Sequence, residues 1–165
     1  VNHEKYMARA LELANIAQSL GEVPVGALVV VEDKIVAEAY NQRELNQSSL
    51  DHAELLAIRL ASHKLGRWRL TGSTVYSSLE PCLMCAGALM HARINLLVYG
   101  AKDAKFGAID SLYQVAQDQR LNHQFATING VLAEQSAELL KSFFRQLRLD
   151  KYSVFKKDPN QKGKA

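Results

Sequence analysis

The chain is 165 residues long, 48% hydrophobic and 22% charged, with 20 Lys and Arg against 17 Asp and Glu. That length and apolar content suffice to bury one core without disulfides or other staples, so a single independently folding domain is expected. The longest apolar run, Val23 to Val31, is nine residues with Pro24 and Gly26 inside it, which excludes a bilayer-spanning helix there; with no charged-then-apolar export signal, a cytoplasmic location is expected.

In chain order, Met7, Ala10, Leu11, Ala14, Ala17 and Leu20 recur at helical spacing and Gly21 ends the run, predicting an amphipathic first helix over residues 3–20. Val23–Val31 and Ile35–Ala39 are β-rich and flank the polar Glu32-Asp33-Lys34, the pattern of a hairpin. Tyr40–Leu50 is polar and reads as a loop. A helix then starts near Asp51 and runs through Leu55, Leu56, Ile58 and Leu60. Thr74–Ser78 predicts a strand, Cys82–His91 a helix and Ile94–Tyr99 a strand. A loop follows from Gly100 to about Ile109, Phe125–Gly130 predicts a last strand, and Ala133 to about Phe155 a long final helix. Alternating elements behind an opening hairpin imply an α/β fold, three layers deep (α/β/α) around a central mixed sheet of about five strands. Residues 1–155 are expected to form that domain and residues 156–165 a basic, flexible tail.

Both cysteines of the chain stand two residues apart directly behind Pro81. Proline suits the first turn of a helix, where its missing N–H has no partner to lose. Cys82 and Cys85 then lie about 60° apart on one face of that turn and can point at one atom. The free N–H groups and positive dipole end favour thiolate, the form that binds metal. Plain core cysteines or a thioredoxin-like dithiol would use the same spacing. His52, opening another helix, adds a nitrogen donor; His52, Cys82 and Cys85 make the three-ligand set of a catalytic zinc site with one position left for water. His91, nine residues after Cys82, falls about 180° round the same helix and is a poor fourth ligand. Glu54 has two readings. With Asp51 it satisfies a capping-box pattern, and with His52 it makes the His-x-Glu that, followed by Pro-Cys-x-x-Cys, is the signature of zinc nucleobase deaminases, with the Glu as proton shuttle.

The stretches "GEVPVGALVV", "AYNQRE", "DHAELLAIR", "SLEPCLMCAGALMHARI", "YGAKDAKFGA" and "LNHQ", in this order, resemble the bacterial tRNA-specific adenosine deaminases, which convert the wobble adenosine of an anticodon to inosine. The likeness extends to about Arg148; it departs at Phe106, where a small or hydroxylated residue is expected, and in "AIDSLYQVAQDQR". The resemblance implies a cytidine deaminase-like fold and a zinc-dependent hydrolase, with one zinc per chain held by His52, Cys82 and Cys85 and with Glu54 catalytic. It implies that Asn41 hydrogen-bonds the substrate nucleoside, that the Ala53 backbone reads the base edge, and that Val23 packs on the base. It sets Asp103 and Lys105 beside the RNA, and it implies a homodimer that binds the anticodon stem-loop. Asn41 also reads as a turn residue, while Val23 reads nearly as well as core and Asp103 about as well as closing its own loop.

Residues 141–165 hold eight Lys or Arg against two Asp, whereas the preceding 140 hold twelve against fifteen acidic residues. Such asymmetry suits phosphate contacts, although a solvated helix face would carry it too. Two other functions share these motifs: a zinc deaminase of a free nucleobase or nucleoside, of guanine or cytosine type, and a non-enzymatic zinc-stabilised RNA-binding subunit. Glu54 separates the last from the others, since a purely structural metal site has no use for a proton shuttle.

Overall fold

The computed structural model describes the backbone of residues 1–157 and side chains through Ser153. Its elements follow the order α1 (His3–Ser19), β1 (Gly26–Val31), β2 (Lys34–Tyr40), α2 (Ala53–Leu65), β3 (Ser73–Leu79), α3 (Leu83–His91), β4 (Leu96–Ala101), a 3-10 turn (Val115–Gln117), β5 (Ala126–Ile128) and α4 (Ala133–Lys157). The five strands form one mixed sheet in the order β2-β1-β3-β4-β5, antiparallel from β2 to β3 and parallel from β3 to β5.

Alternation along the strands sends their side chains to two helical layers. Ala27, Val29, Val75, Leu97 and Tyr99 join Ala53, Leu56, Ala57 and Leu89 in the larger core under α2 and α3. Leu28, Val30, Tyr76 and Val98 meet Tyr6, Met7, Ala10 and Leu13 of α1 on the other face, which α4 shares. This is the expected three-layer arrangement. Gly26 lets α1 lie close to β1, because a Cβ there would stand 2.0 Å from the Ala10 carbonyl oxygen. Among the described residues no helix is long and apolar enough to cross a membrane.

Several boundaries differ from the sequence pattern. The hairpin turns on Glu32 and Asp33 alone, both at positive φ (48° and 57°), so β2 opens at Lys34. Such a two-residue turn matches the twist of the flanking strands. The first strand begins at Gly26 and not at Val23, because Pro24 has no N–H for the ladder and the Val25 N–H turns back to the Val23 carbonyl at 2.9 Å. The last strand is reduced to Ala126–Ile128: the Phe125 N–H is taken by the Ala116 carbonyl, and Gly130, at φ 81°, turns the chain. Helix α3 starts at Leu83, one step later than predicted. Pro81 lies outside it, and Cys82 is its extended N-cap, bridged to Gly107. Helix α4 continues past Phe155 to Lys157, and the rest of the expected tail lies outside the described residues.

Candidate active site

Helices α2 and α3 start side by side beyond the carboxyl end of β3, where ligands bind in open α/β sheets. Each contributes its cap residue. His52 is the N-cap of α2, Cys82 is the N-cap of α3, and neither uses its side chain to cap. Cys85 lies in the first turn of α3, buried, while His52 and Cys82 are half-buried.

His52 Nδ1 stands 3.6 Å from both Cys82 Sγ and Cys85 Sγ, and the three donor atoms all lie within 4.8 Å of one another. A tetrahedral zinc with sulfur at about 2.3 Å and nitrogen at about 2.05 Å requires a nitrogen-to-sulfur edge of about 3.6 Å. The donor set therefore fits that ion in both chemistry and spacing. A redox dithiol needs no such convergence on a histidine. The Cys82 thiol is brought down to about 4, first by its hydrogen bond with Cys85 and then by that with His52. Cys85 is pushed up by the bond to Cys82 and by burial, and His52 is raised by its bond to Cys82. That lowering favours the thiolate, the form that ligates metal. His91 is exposed and takes no part in the group.

Glu54 is 4% exposed, and burial pushes its carboxyl above the ordinary range. It does not form the capping pattern with Asp51, whose carboxylate instead accepts from Asn46 Nδ2 at 2.7 Å. The Ser77 hydroxyl donates to the Leu79 carbonyl at 2.7 Å and its oxygen lies 3.3 Å from Glu54 Oε1, so the end of β3 lies against the acid beside the cysteines. A buried acid at a metal-competent cluster can hold and return a proton.

These groups open into a cleft of about 1090 Å³. Val23, Asn41, Ala53, Asp103 and Lys105 are among the residues that line it. Asn41 Nδ2 donates to the Val23 carbonyl at 3.2 Å and its Oδ1 accepts from the Arg43 amide at 3.3 Å, so these two residues form a single unit. Ala53 is the first residue of α2 and fully buried. Asp103 Oδ1 accepts from the Lys105 and Phe106 amides at 3.0 and 3.2 Å, closing its own turn, while Lys105 and Phe106 remain exposed. Ser77, Glu80 and Phe144 were not singled out by sequence reasoning; Lys141, Arg145 and Arg148, which with Phe144 wall the cleft from α4, fall within the basic stretch it marked for phosphate contacts without being picked out one by one. The three basic residues recur at positions i, i+4 and i+7 of the final helix, a periodic signal that could have found them.

A MafB19-like deaminase family model matches residues 1–148. The tRNA-specific adenosine deaminase of Bacillus subtilis is 45% identical over 153 residues, covering 93% of this chain and 95% of that protein. The protein of the same name from Haemophilus influenzae is 44% identical over 149 residues, covering 90% and 86%. Among solved structures, one from a study of A-to-I editing by tRNA:A34 deaminases at the wobble position superposes with a TM-score of 0.80 at 38% identity, covering 82% of this chain and 99% of that one. A guanine deaminase from Nitrosomonas europaea shares the fold, with a TM-score of 0.76 at 24% identity over 87% and 85% of the two chains.

Proposed function

This chain belongs to the tRNA-specific adenosine deaminase family, and from that membership we propose that it hydrolyses the wobble adenosine of a tRNA anticodon to inosine with one zinc ion per chain. The observation that carries the reading is the convergence of His52, Cys82 and Cys85 next to the buried Glu54 in a cleft edged by Lys and Arg. The chemistry exchanges the C6 amino group for oxygen: water adds at C6, and ammonia leaves.

His52, Cys82 and Cys85 would hold the zinc, and when bound it supplies Lewis-acid activation of the water that attacks C6. Glu54 takes a proton from that water and delivers it to the ring N1, then takes the remaining proton from the hydroxyl on C6 and gives it to the amine, which leaves as ammonia while the C6 carbonyl forms. One carboxyl serves every transfer, which suits an acid that burial holds above its ordinary range. Asn41 holds the nucleoside, Val23 packs on the base, and the Ala53 backbone at the α2 terminus reads its edge. Asp103 and Lys105, which also line the cleft, meet the RNA. The base must leave its stack to enter, and an unpaired anticodon loop makes that inexpensive.

The protein acts as a homodimer on the anticodon stem-loop. Leu60, Trp68 and Leu83, each about half exposed or more, leave large apolar surface on and beside the α2 and α3 layer.

The test is inosine formation on an anticodon stem-loop carrying adenosine at the wobble position, with elemental analysis of the same sample. Inosine is expected on the stem-loop and no turnover on free guanine, cytosine or adenosine, with one zinc per chain. Turnover of a free base in preference to RNA would replace this reading by the free-nucleobase one, and full activity without zinc would remove its basis.

A further inference from the structure

Glu80 is a carboxylate that the proposed chemistry does not use. It lies between the end of β3 and Pro81 and is 2% exposed. A charge so placed is expensive unless its oxygens are bonded. Oε1 accepts from three consecutive backbone amides, those of Ile109 at 3.2 Å, Asp110 at 2.8 Å and Ser111 at 2.9 Å. Oε2 accepts from the Asp103 amide at 2.9 Å and from the Ser111 hydroxyl. Every one of these donors belongs to the single loop over 102–111, whose tip offers Lys102, Asp103, Lys105 and Phe106 to the cleft. The loop is wrapped round the carboxylate as a nest of amides is wrapped round an anion.

The same loop is tied to the segment that carries the metal ligand. The Ala108 N–H donates to the Pro81 carbonyl at 2.9 Å, and Gly107 bridges Cys82. Gly107 leaves the room that Glu80 occupies: a Cβ there would stand 2.3 Å from Glu80 Cδ. Glu80 and these backbone ties together hold the substrate-facing loop against the Cys82 segment.

We infer that Glu80 is a positioning residue that preforms the 102–111 loop for the substrate, so that it governs capture of the RNA and not the chemical step. The inference rests on the function proposed above. In Glu80→Gln one oxygen still accepts the three amides from Ile109 to Ser111, but the new NH2 faces the Asp103 N–H and cannot accept it. The loop should come loose at its Asp103 end. If the competent loop is then populated about one-tenth of the time, KM for the stem-loop rises ~10-fold while kcat stays within about twofold. Ser111→Ala removes one donor and shifts KM in the same direction by less. Gly107→Ala crowds the Glu80 carboxylate and the Asp103 carbonyl oxygen alike, and should raise KM in the same direction.

The experiment measures KM and kcat on the wobble-adenosine stem-loop, zinc content, and amide hydrogen exchange of peptides across 102–111. Faster exchange confined to that loop, unchanged zinc and a KM-only defect are expected. A wild-type KM in Glu80→Gln overturns the inference. So does exchange unchanged in the loop, or loss of zinc with a fall in kcat at constant KM, which would make Glu80 a support of the metal site. Should Glu80→Gln fail to fold, Ser111→Ala is judged by the same criteria. A wild-type protein inactive on the stem-loop removes the proposed function instead, and the exchange result still decides whether Glu80 holds the loop.

Discussion

Glu54 could have been a helix cap, and its geometry decides against that role: Asp51 is engaged with Asn46, and Glu54 is buried beside Ser77 and the cysteines. Gln has the same shape and cannot transfer the proton. Glu54→Gln is accordingly expected to keep zinc and fold while kcat falls ~10²- to 10⁴-fold, the usual worth of a positioned acid-base group; single-turnover inosine formation measures it, and near-normal turnover would end the shuttle assignment. Asp103 is argued differently, because its Oδ1 already closes a turn onto Lys105 and Phe106. Asparagine can keep both of those bonds through its carbonyl oxygen. Asp103→Asn thus removes the charge and little else. If the carboxylate accepts from a ribose 2′-OH, the ratio of activities on matched DNA and RNA stem-loops shifts toward DNA. A proportional fall on both substrates, or a lower Tm, would identify it as a loop clasp.

At the scale of elements, α4 brings Lys141, Arg145 and Arg148 along one face into the cleft wall. Neutralising the three to Ala should weaken RNA binding uniformly across sequences. The slope of log affinity against log salt should become shallower by about 0.7 to 0.9 for each phosphate that is no longer neutralised. An unchanged slope in a salt titration would leave α4 as packing alone. The close approach of α1 to β1 makes a separate prediction about stability. A methyl at position 26 must push Ala10 away from the strand, so Gly26→Ala should destabilise by ~1–3 kcal/mol, as overpacking does. Denaturant melts should record that destabilisation without any change in bound zinc, since α1 packs on the face opposite α2 and α3.

For the molecule as a whole, the proposed zinc and the core should contribute to stability in different ways. Small zinc domains draw ~10–16 kcal/mol of folding energy from the ion and are unfolded without it. Here two apolar layers clasp the sheet independently of the cluster. Removing zinc with a chelator, or through His52→Ala, Cys82→Ala or Cys85→Ala, should abolish activity and lower the melting temperature. A cooperative transition should survive. Elemental analysis paired with a circular dichroism melt makes the test, and a metal-free chain without cooperative melting would mean that the site holds the fold together.

What could be read from the chain alone was local. Helical and strand periods, the polar hairpin turn and the helix starts bearing His-x-Glu and Pro-Cys-x-x-Cys depend on neighbours a few positions away, so the element order and the three candidate metal donors were legible in order and type. Boundaries failed where a distant partner intervened, as at Cys82, drawn into an extended cap by Gly107, and at Phe125, whose amide goes to Ala116. Only the tertiary structure could close His52 onto the cysteines at 3.6 Å, turn Glu54 from cap to cleft, carry α4 over the site and wrap a loop around Glu80. Each of these rests on packing and hydrogen bonds between segments far apart in the chain, and such interactions leave no periodic trace in the sequence between them.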